Sequence, residues 1–327
     1  MAPSTVSTTE NDSSGDFRSD DRSLPSVSVI VPVFNDPDGI RQTLESLVRQ
    51  TYPTGKHEIV VVDNGSTDDT RSVVREYQRE WDHVTLEIED EIQGSYAARN
   101  AGIRASESDI CAFVDADMFV DEEWLESVVG RFADTDAEYI GCNVEMTVPA
   151  DGDTIFARYN RRVGFPVRFD VEQKKFAPTC CLSVRRSVFE DVGTFDAQLL
   201  SGGDLEFGNR VYESGRELYY AEDVVQNHPA RSSFRSLAKK AVRQGRGVGQ
   251  LQRRYPERYG RPGIPPRPDA PLAGDSDGES APVREQVVFL TLTVLFTLLR
   301  GAGYYLEVLE SVYDQRIVRS GKRSVHE

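Results

Sequence analysis

The sequence predicts an α/β protein whose core is a mainly parallel, doubly wound sheet. Three observations lead there. Several short runs are apolar and rich in β-branched residues without alternation, as strands buried on both faces must be. A capped helical stripe follows most of these runs, and the strand-then-helix order repeats through the amino-terminal half.

Val27 to Phe34 reads Val-Ser-Val-Ile-Val-Pro-Val-Phe and makes the first strand. Asp36 can cap the next helix and Pro37 suits its first position, while Ile40, Leu44, Leu47 and Val48 fall on one core-facing stripe. Glu58 to Asp63 is a second Val-rich strand, and Thr67-Asp68-Asp69 precedes a helix that turns Val73, Val74 and Tyr77 inward. Val84 to Ile88 alternates like an outer strand. Ile110 to Val114 is apolar and stops abruptly at Asp115; Asp121 is expected to cap a helix presenting Trp124, Leu125, Val128 and Val129. Beyond about Tyr139 the pattern loosens into longer loops with an arginine-rich segment, Arg158 to Arg168.

Composition narrows the possible functions. A chain of 327 residues that is 39% hydrophobic can bury a sizeable core, and a formal net charge of −16 opposes binding to nucleic acid. Lysine occurs only at positions 56, 174, 175, 239, 240 and 322, so the positive charge is almost all arginine, and this acidic, lysine-poor surface suits high salt. Cys111, Cys142, Cys180 and Cys181 form no CxxC pair, which argues for buried free thiols over a zinc ribbon or redox motif.

The chain divides by composition. Residues 1–25, rich in Ser, Thr and Asp with no apolar core, read as a flexible tail and not as a signal peptide. Residues 26–230 form the main folded unit, 231–260 a basic helical segment, 261–285 a Pro-, Gly- and Asp-rich linker, and 286–327 an apolar or amphipathic helical segment. Val287 to Leu299 is a 13-residue apolar run, short of the roughly 20 residues that span a bilayer. Extending it would enclose Arg300 and Glu307. A helix packed on the main unit or lying in the membrane interface is expected, with a true span as the alternative.

Ligands of open α/β sheets sit beyond the carboxyl ends of the strands. Three polar strand ends stand out: Phe34-Asn35-Asp36, Asp63-Asn64-Gly65-Ser66 and Asp115-Ala116-Asp117. Asp-x-Asp alone means little, since it recurs at Asp36/Asp38, Asp134/Asp136, Asp151/Asp153 and Asp275/Asp277. Only Asp115 and Asp117 directly end a buried strand, where hard oxygen ligands could hold Mg²⁺ or Mn²⁺ against a diphosphate. The competing reading is a solvated turn that caps the next helix. Asp63 is open in the same way, because Asp-Asn-Gly-Ser is also a strong turn signal.

Taken together, Val31-Pro32-Val33-Phe34-Asn35, Val62 to Asp68, Ala97-Ala98-Arg99-Asn100-Ala101-Gly102, Asp115-Ala116-Asp117 and Gly202-Gly203-Asp204-Leu205-Glu206-Phe207 resemble family 2 glycosyltransferases. These are inverting enzymes with a GT-A type fold, and the likeness runs from about Ser26 to His228. It implies a nucleotide-binding half, 26–137, and an acceptor half, 138–230, with peripheral helices. Pro32, Phe34, Asn35, Asp63, Asn64, Gly65 and Ser66 would line the nucleotide, with Asp63 reading base or ribose. Asp115 would meet ribose or metal, Asp117 would ligate the metal, and Arg99 would neutralise the donor phosphates unless it is an ion pair within its helix. Asp204 would be the general base, or else merely a helix cap. Gly203 stands where the family often has Glu before this Asp, which puts secondary acceptor contacts by Gly203 and Glu206 in doubt. His228, in Gln226-Asn227-His228-Pro229 after the apparent end of the sheet, would complete the metal shell or simply pack.

Arg231, Arg235, Lys239 and Arg243 recur every fourth residue and would share one helix face, suited to a lipid phosphate acceptor or a membrane surface. A Gln-x-x-Arg-Trp pattern is absent, which favours single-sugar over processive transfer. The resulting expectation is an inverting, metal-dependent enzyme, peripheral on the cytoplasmic face of the cell membrane. It would move one sugar from a nucleotide diphosphate donor to a lipid-linked acceptor of polyprenyl or dolichyl phosphate type, or to a glycan. The alternatives are a sugar nucleotidyltransferase, which would need a basic Gly-rich loop after the first strand, and a non-catalytic sugar- or membrane-binding scaffold.

Overall fold

The computed structural model describes residues 24–148, 152–265 and 282–323, with side chains to 313. Residues 1–23 of the expected tail and most of the expected linker lie outside the described residues. Eight strands form one sheet: β1 (Val27–Val33), β2 (His57–Asp63), β3 (Val84–Ile88), β4 (Ile110–Phe113), β5 (Phe119–Val120), β6 (Tyr139–Thr147), β7 (Leu182–Arg185) and β8 (Leu218–Pro229). Their order is β3-β2-β1-β4-β7-β6-β8-β5.

The first four strands in that order are parallel, joined by helices α1 (Pro37–Leu47), α2 (Thr70–Glu80) and α3 (Ser95–Ala105). β1 and β4 lie at the centre, buried on both faces, and this is why they read as continuous apolar runs. β3 is the outer strand, as its alternation predicts. The sheet turns mixed past β4: β7 runs antiparallel to β4 and β6, β8 runs parallel to β6, and β5 pairs antiparallel with β8. Asp36 does cap α1, accepting from Gly39 N–H at 2.9 Å. Asp121 does not cap α4 (Trp124–Asp134) with its side chain; its backbone carbonyl takes the Trp124 N–H in a turn.

Residues after β6 build the other wall through α5 (Ile155–Val163), α6 (Val167–Lys174), α7 (Arg186–Val192) and α8 (Gly203–Glu213). Phe207 of α8 stacks on Phe189 of α7 at 5.1 Å and meets Phe195 at 4.7 Å, while Phe195 packs edge-on against Phe113 of β4. This aromatic wedge fixes the start of α8 against the carboxyl end of the parallel strands. All four cysteines are buried free thiols, as expected.

α9 (Phe234–Arg254) is followed by the short α10 (Pro256–Tyr259), and α11 (Val283–Arg323) returns along α9. The two long helices touch backbone to backbone: a Cβ on Gly245 would overlap the Arg300 carbonyl, and one on Gly303 would overlap that of Val242. The apolar run expected over 13 residues is thus part of a helix long enough, by length and composition, to cross a membrane. Its inner face is not built for lipid. Glu307 is buried in ion pairs with Arg246 and Arg253, and Tyr304 donates to Gln252. Its outer face, with Val287, Leu290, Val294, Leu298 and Leu309, is exposed.

Candidate active site

The carboxyl ends of β1, β2 and β4 place the three polar strand ends side by side. Asn35 sits in the left-handed region, φ 49°, which its short polar side chain tolerates. Its N–H donates to Ser66 Oγ at 2.9 Å, and its Oδ1 accepts from Thr67 N–H at 2.8 Å, so it ties the β1 and β2 loops together. Asn64 is spent in the same way. Its amide donates to the Glu89 and Ile92 carbonyls, and its Oδ1 accepts from Gly94 N–H and Gln93. Both residues tie the strand-end loops together, and the side-chain polar atoms of Asn64 are taken up in doing so. Pro32 is half-buried within β1, Gly65 takes φ 84° and Ser66 is buried, whereas the Phe34 ring is 51% exposed at the cleft.

Asp63 is fully buried. Its Oδ2 accepts from Gly65 and Ser66 N–H and from Arg71, but Oδ1 has no hydrogen-bond partner among the described residues. An orphaned buried acceptor is costly, and a nucleotide N–H or O–H would satisfy it.

Arg99 is buried and holds Asp115 Oδ1 at 2.5 Å. One terminal nitrogen of the guanidinium meets Asp115, while the buried Nε of Arg99 has no hydrogen-bond partner among the described residues. Asp117 is half-exposed and, among the described residues, unpaired apart from His228, whose Nε2 stands 4.0 Å from Asp117 Oδ1. His228 belongs to the sheet, contrary to expectation. Pairing of Phe119 with Asn227 and of Val120 with Gln226 brings it across from Asp117. His228 Nδ1 lies 2.8 Å from the Pro229 carbonyl. A carbonyl can only accept, so Nδ1 carries a proton, and Nε2 is the ring nitrogen that faces Asp117. Burial raises the Asp117 carboxyl above the usual aspartate range; His228 and Arg231 work against this, and Asp115 and Asp36 add to it.

Among the described residues no group of three His, Cys, Asp or Glu side chains is close enough to hold a metal unaided. One carboxylate and one imidazole nevertheless fit Mn²⁺ or Mg²⁺ of the kind whose remaining ligands are phosphate oxygens and water.

Asp204 stands in the first turn of α8, after Gly202 in the left-handed region. It does not cap that helix; its Oδ1 accepts from Leu205 N–H at 3.0 Å and from the Tyr96 hydroxyl at 3.2 Å. Burial raises its carboxyl above the usual range, opposed by the Leu205 N–H and by Arg99. Gly203 and Glu206, expected at the acceptor, are both buried. The space beside Gly203 is filled by the Tyr96 ring, and Glu206 is consumed in ion pairs with Arg210 and Arg258.

The basic stripe is shorter than its spacing predicts, because α9 begins at Phe234 and leaves Arg231 in the preceding loop, close enough to lower the Asp117 carboxyl. Arg235, Lys239 and Arg243 are exposed and line a groove of about 670 Å³ whose remaining wall includes Leu200, Phe234, Ala238 and Val242. One residue was missed in sequence. Tyr96 directly precedes the Ala97-Ala98-Arg99 segment, a position that could have signalled it. Lys240 has its ammonium 4.9 Å above the Phe165 ring, which packs on His228 at 5.3 Å; burial and Arg231 push it down to about 8.

The model of the Glycosyl transferase family 2 matches residues 28–193. Glycosyltransferase AglE of Haloferax volcanii is 42% identical over 228 residues, 70% of this chain and 74% of that protein. In Methanococcus voltae, a dolichyl N-acetyl-alpha-D-glucosaminyl phosphate 3-beta-D-2,3-diacetamido-2,3-dideoxy-beta-D-glucuronosyltransferase is 23% identical over 250 residues, 70% and 74% of the two chains. Some other relatives are longer proteins, of which the match spans about half. Among solved structures, the mannosyltransferase PcManGT from Pyrobaculum calidifontis in complex with GDP-Man and Mn²⁺ superposes with a TM-score of 0.55 at 19% identity, covering 94% of this chain and 82% of that one.

Proposed function

The chain belongs to glycosyltransferase family 2, and from that premise we propose that it is a metal-dependent, inverting enzyme. In this reading it transfers a single sugar from a nucleotide diphosphate donor to a lipid-linked or glycan acceptor at the cytoplasmic membrane face. The observation that carries the reading is the pairing of Asp117 with Nε2 of His228, together with a second carboxylate, Asp204, whose Oδ2 accepts no hydrogen bond among the described residues.

Residues 26–137 hold the nucleotide in this account. Asp63 Oδ1 accepts from base or ribose, Phe34 offers an apolar ring, and Asp115, fixed by Arg99, faces the ribose. Asp117 and His228 would hold Mn²⁺ or Mg²⁺, which would supply positive charge against the leaving diphosphate. From the acceptor half, residues 138–230, Asp204 Oδ2 takes the proton of the acceptor hydroxyl as that oxygen attacks the anomeric carbon opposite the departing nucleotide. Arg231 adds positive charge near Asp117. The PcManGT complex with GDP-Man and Mn²⁺ supports a nucleotide sugar and metal here, and the dolichyl phosphate in the Methanococcus relative's name supports a lipid-linked acceptor.

Arg235, Lys239 and Arg243, with the exposed apolar face of α11, form the side that meets lipid: in a chain of net charge −16 they gather cations beside apolar surface. The test incubates the protein with a panel of nucleotide sugars and a membrane lipid extract, with Mn²⁺ or EDTA. Transfer that needs Mn²⁺ and inverts the donor's anomeric configuration is expected; EDTA-indifferent transfer or retained configuration would overturn the reading.

A further inference from the structure

The two oxygens of Asp204 have different surroundings. Oδ1 accepts from Leu205 N–H and the Tyr96 hydroxyl, while among the described residues Oδ2 accepts no hydrogen bond. Tyr96 lies in the first turn of α3, buried to 5% exposure, with its ring 5.9 Å from that of Phe195 and 5.8 Å from the Arg99 guanidinium. The ring reaches Asp204 only because residue 203 lacks a side chain. A Cβ on Gly203 would lie 2.8 Å from both Cε2 and Cζ of Tyr96, closer than packed atoms tolerate.

We propose that Tyr96 is a positioning residue for the transfer reaction: its hydroxyl pins Oδ1 of Asp204 so that Oδ2 is the oxygen offered to the acceptor, and Gly203 makes the room. This rests on Asp204 being the general base. Burial, and then the charge of Asp204, push the Tyr96 phenol well above its ordinary value, so it stays protonated and always donates. A donor to a carboxylate favours the ionised form, which a base needs, and opposes the burial that raises the Asp204 carboxyl. The other charged or titratable groups facing this pair are Arg99 of α3, Tyr139 of β6, Asp170 of α6 and Arg243 of α9. None of them hydrogen-bonds Asp204, so no described side chain other than Tyr96 sets the carboxylate's rotation.

The test is Tyr96→Phe, which keeps the ring and its packing and removes only the hydroxyl. Turnover should fall about tenfold, the scale of one hydrogen bond to a charged group. The acid limb of the kcat/KM profile should move to higher pH by up to about one unit, because the ionised base has lost a donor. Mn²⁺-dependent nucleotide affinity should stay at its parental value, and the melting temperature should match the parent below about pH 4 and fall modestly at neutral pH, where the folded chain must ionise Asp204 without the donor. Gly203→Ala, which forces the ring aside, should act in the same direction, and the double variant should be no worse than the more impaired single one. An unmoved acid limb with parental turnover would overturn the proposal. So would a parallel loss of nucleotide affinity, or a loss of stability that is as large below about pH 4 as at neutral pH, which would make Tyr96 a packing residue. Failure of the underlying reading looks different: Asp204→Asn would then stay active, whereas a failure confined to Tyr96 leaves Asp204→Asn inactive and Tyr96→Phe normal.

Discussion

Replacing Asp204 by Asn separates chemistry from folding, because the geometry lets the amide keep every contact the carboxylate makes. Its Oδ1 can accept from Leu205 N–H and Tyr96 as the aspartate does, and Nδ2 takes the place of the open oxygen. What disappears is the capacity to take a proton. Loss of a general base costs about 10²- to 10⁴-fold, equivalent to about 2.7 to 5.4 kcal/mol of transition-state stabilisation. Stability should move the other way. Burial raises the folded-state pKa of Asp204 above its unfolded value, so the parent is destabilised wherever the unfolded chain has ionised and the folded one resists. Below about pH 4 parent and variant should melt alike. As pH rises, the variant should gain on the parent until the folded carboxyl has ionised too, after which the gap stays constant. Calorimetric nucleotide binding, transfer rate and melting curves over pH make the assay. Near-parental turnover would return Asp204 to a structural role, and a variant that melts earlier than the parent at neutral pH would refute the electrostatic account.

Two further perturbations address the metal and the lipid side. Asp117→Ala should abolish Mn²⁺-dependent nucleotide binding without lowering the melting temperature, since this half-exposed strand-end side chain has, among the described residues, no partner but His228; calorimetry that still shows metal-dependent affinity would remove it from the ligand set. Changing Arg235, Lys239 and Arg243 together to Gln should weaken vesicle flotation or use of a lipid-phosphate acceptor while sparing donor hydrolysis. The loss should be larger at 0.01 M salt, where the Debye length is about 30 Å, than at 1 M, where it is about 3 Å. Lost donor hydrolysis would instead place these side chains at the nucleotide.

What could be read from the sequence, and what could not, divides along the range of the forces involved. The parallel half of the sheet was legible because burial on both faces writes itself locally: β1, β2 and β4 are apolar runs, and each ends at the polar residue that faces the cleft. The order of the mixed half was not. β7 inserts between β4 and β6 through antiparallel pairing of Ile110 with Arg185 and of Tyr139 with Val184, contacts across 75 and 45 positions that no local period encodes. His228 was misplaced for this reason, since only the pairing of β5 with β8 reveals that it faces Asp117.

At the site itself, residue type showed which side chains could do chemistry but not which were already engaged. Asn64 and Glu206 look like ligand contacts in sequence, yet each is engaged within the fold: Asn64 by the Glu89 to Gly94 loop, and Glu206 by Arg210 and Arg258. Among the described residues Asp63 and Asp204 keep one free oxygen each, and that remainder distinguishes an acceptor available to a ligand from one that holds the fold. The same accounting explains Gly203. In sequence it is a missing carboxylate; in space it is the volume into which Tyr96 delivers a hydroxyl to the neighbouring aspartate, 108 positions away. A polar function at this corner of the site is thus supplied from α3 and not from α8, and the substitution that seemed to weaken the site is the condition for that supply.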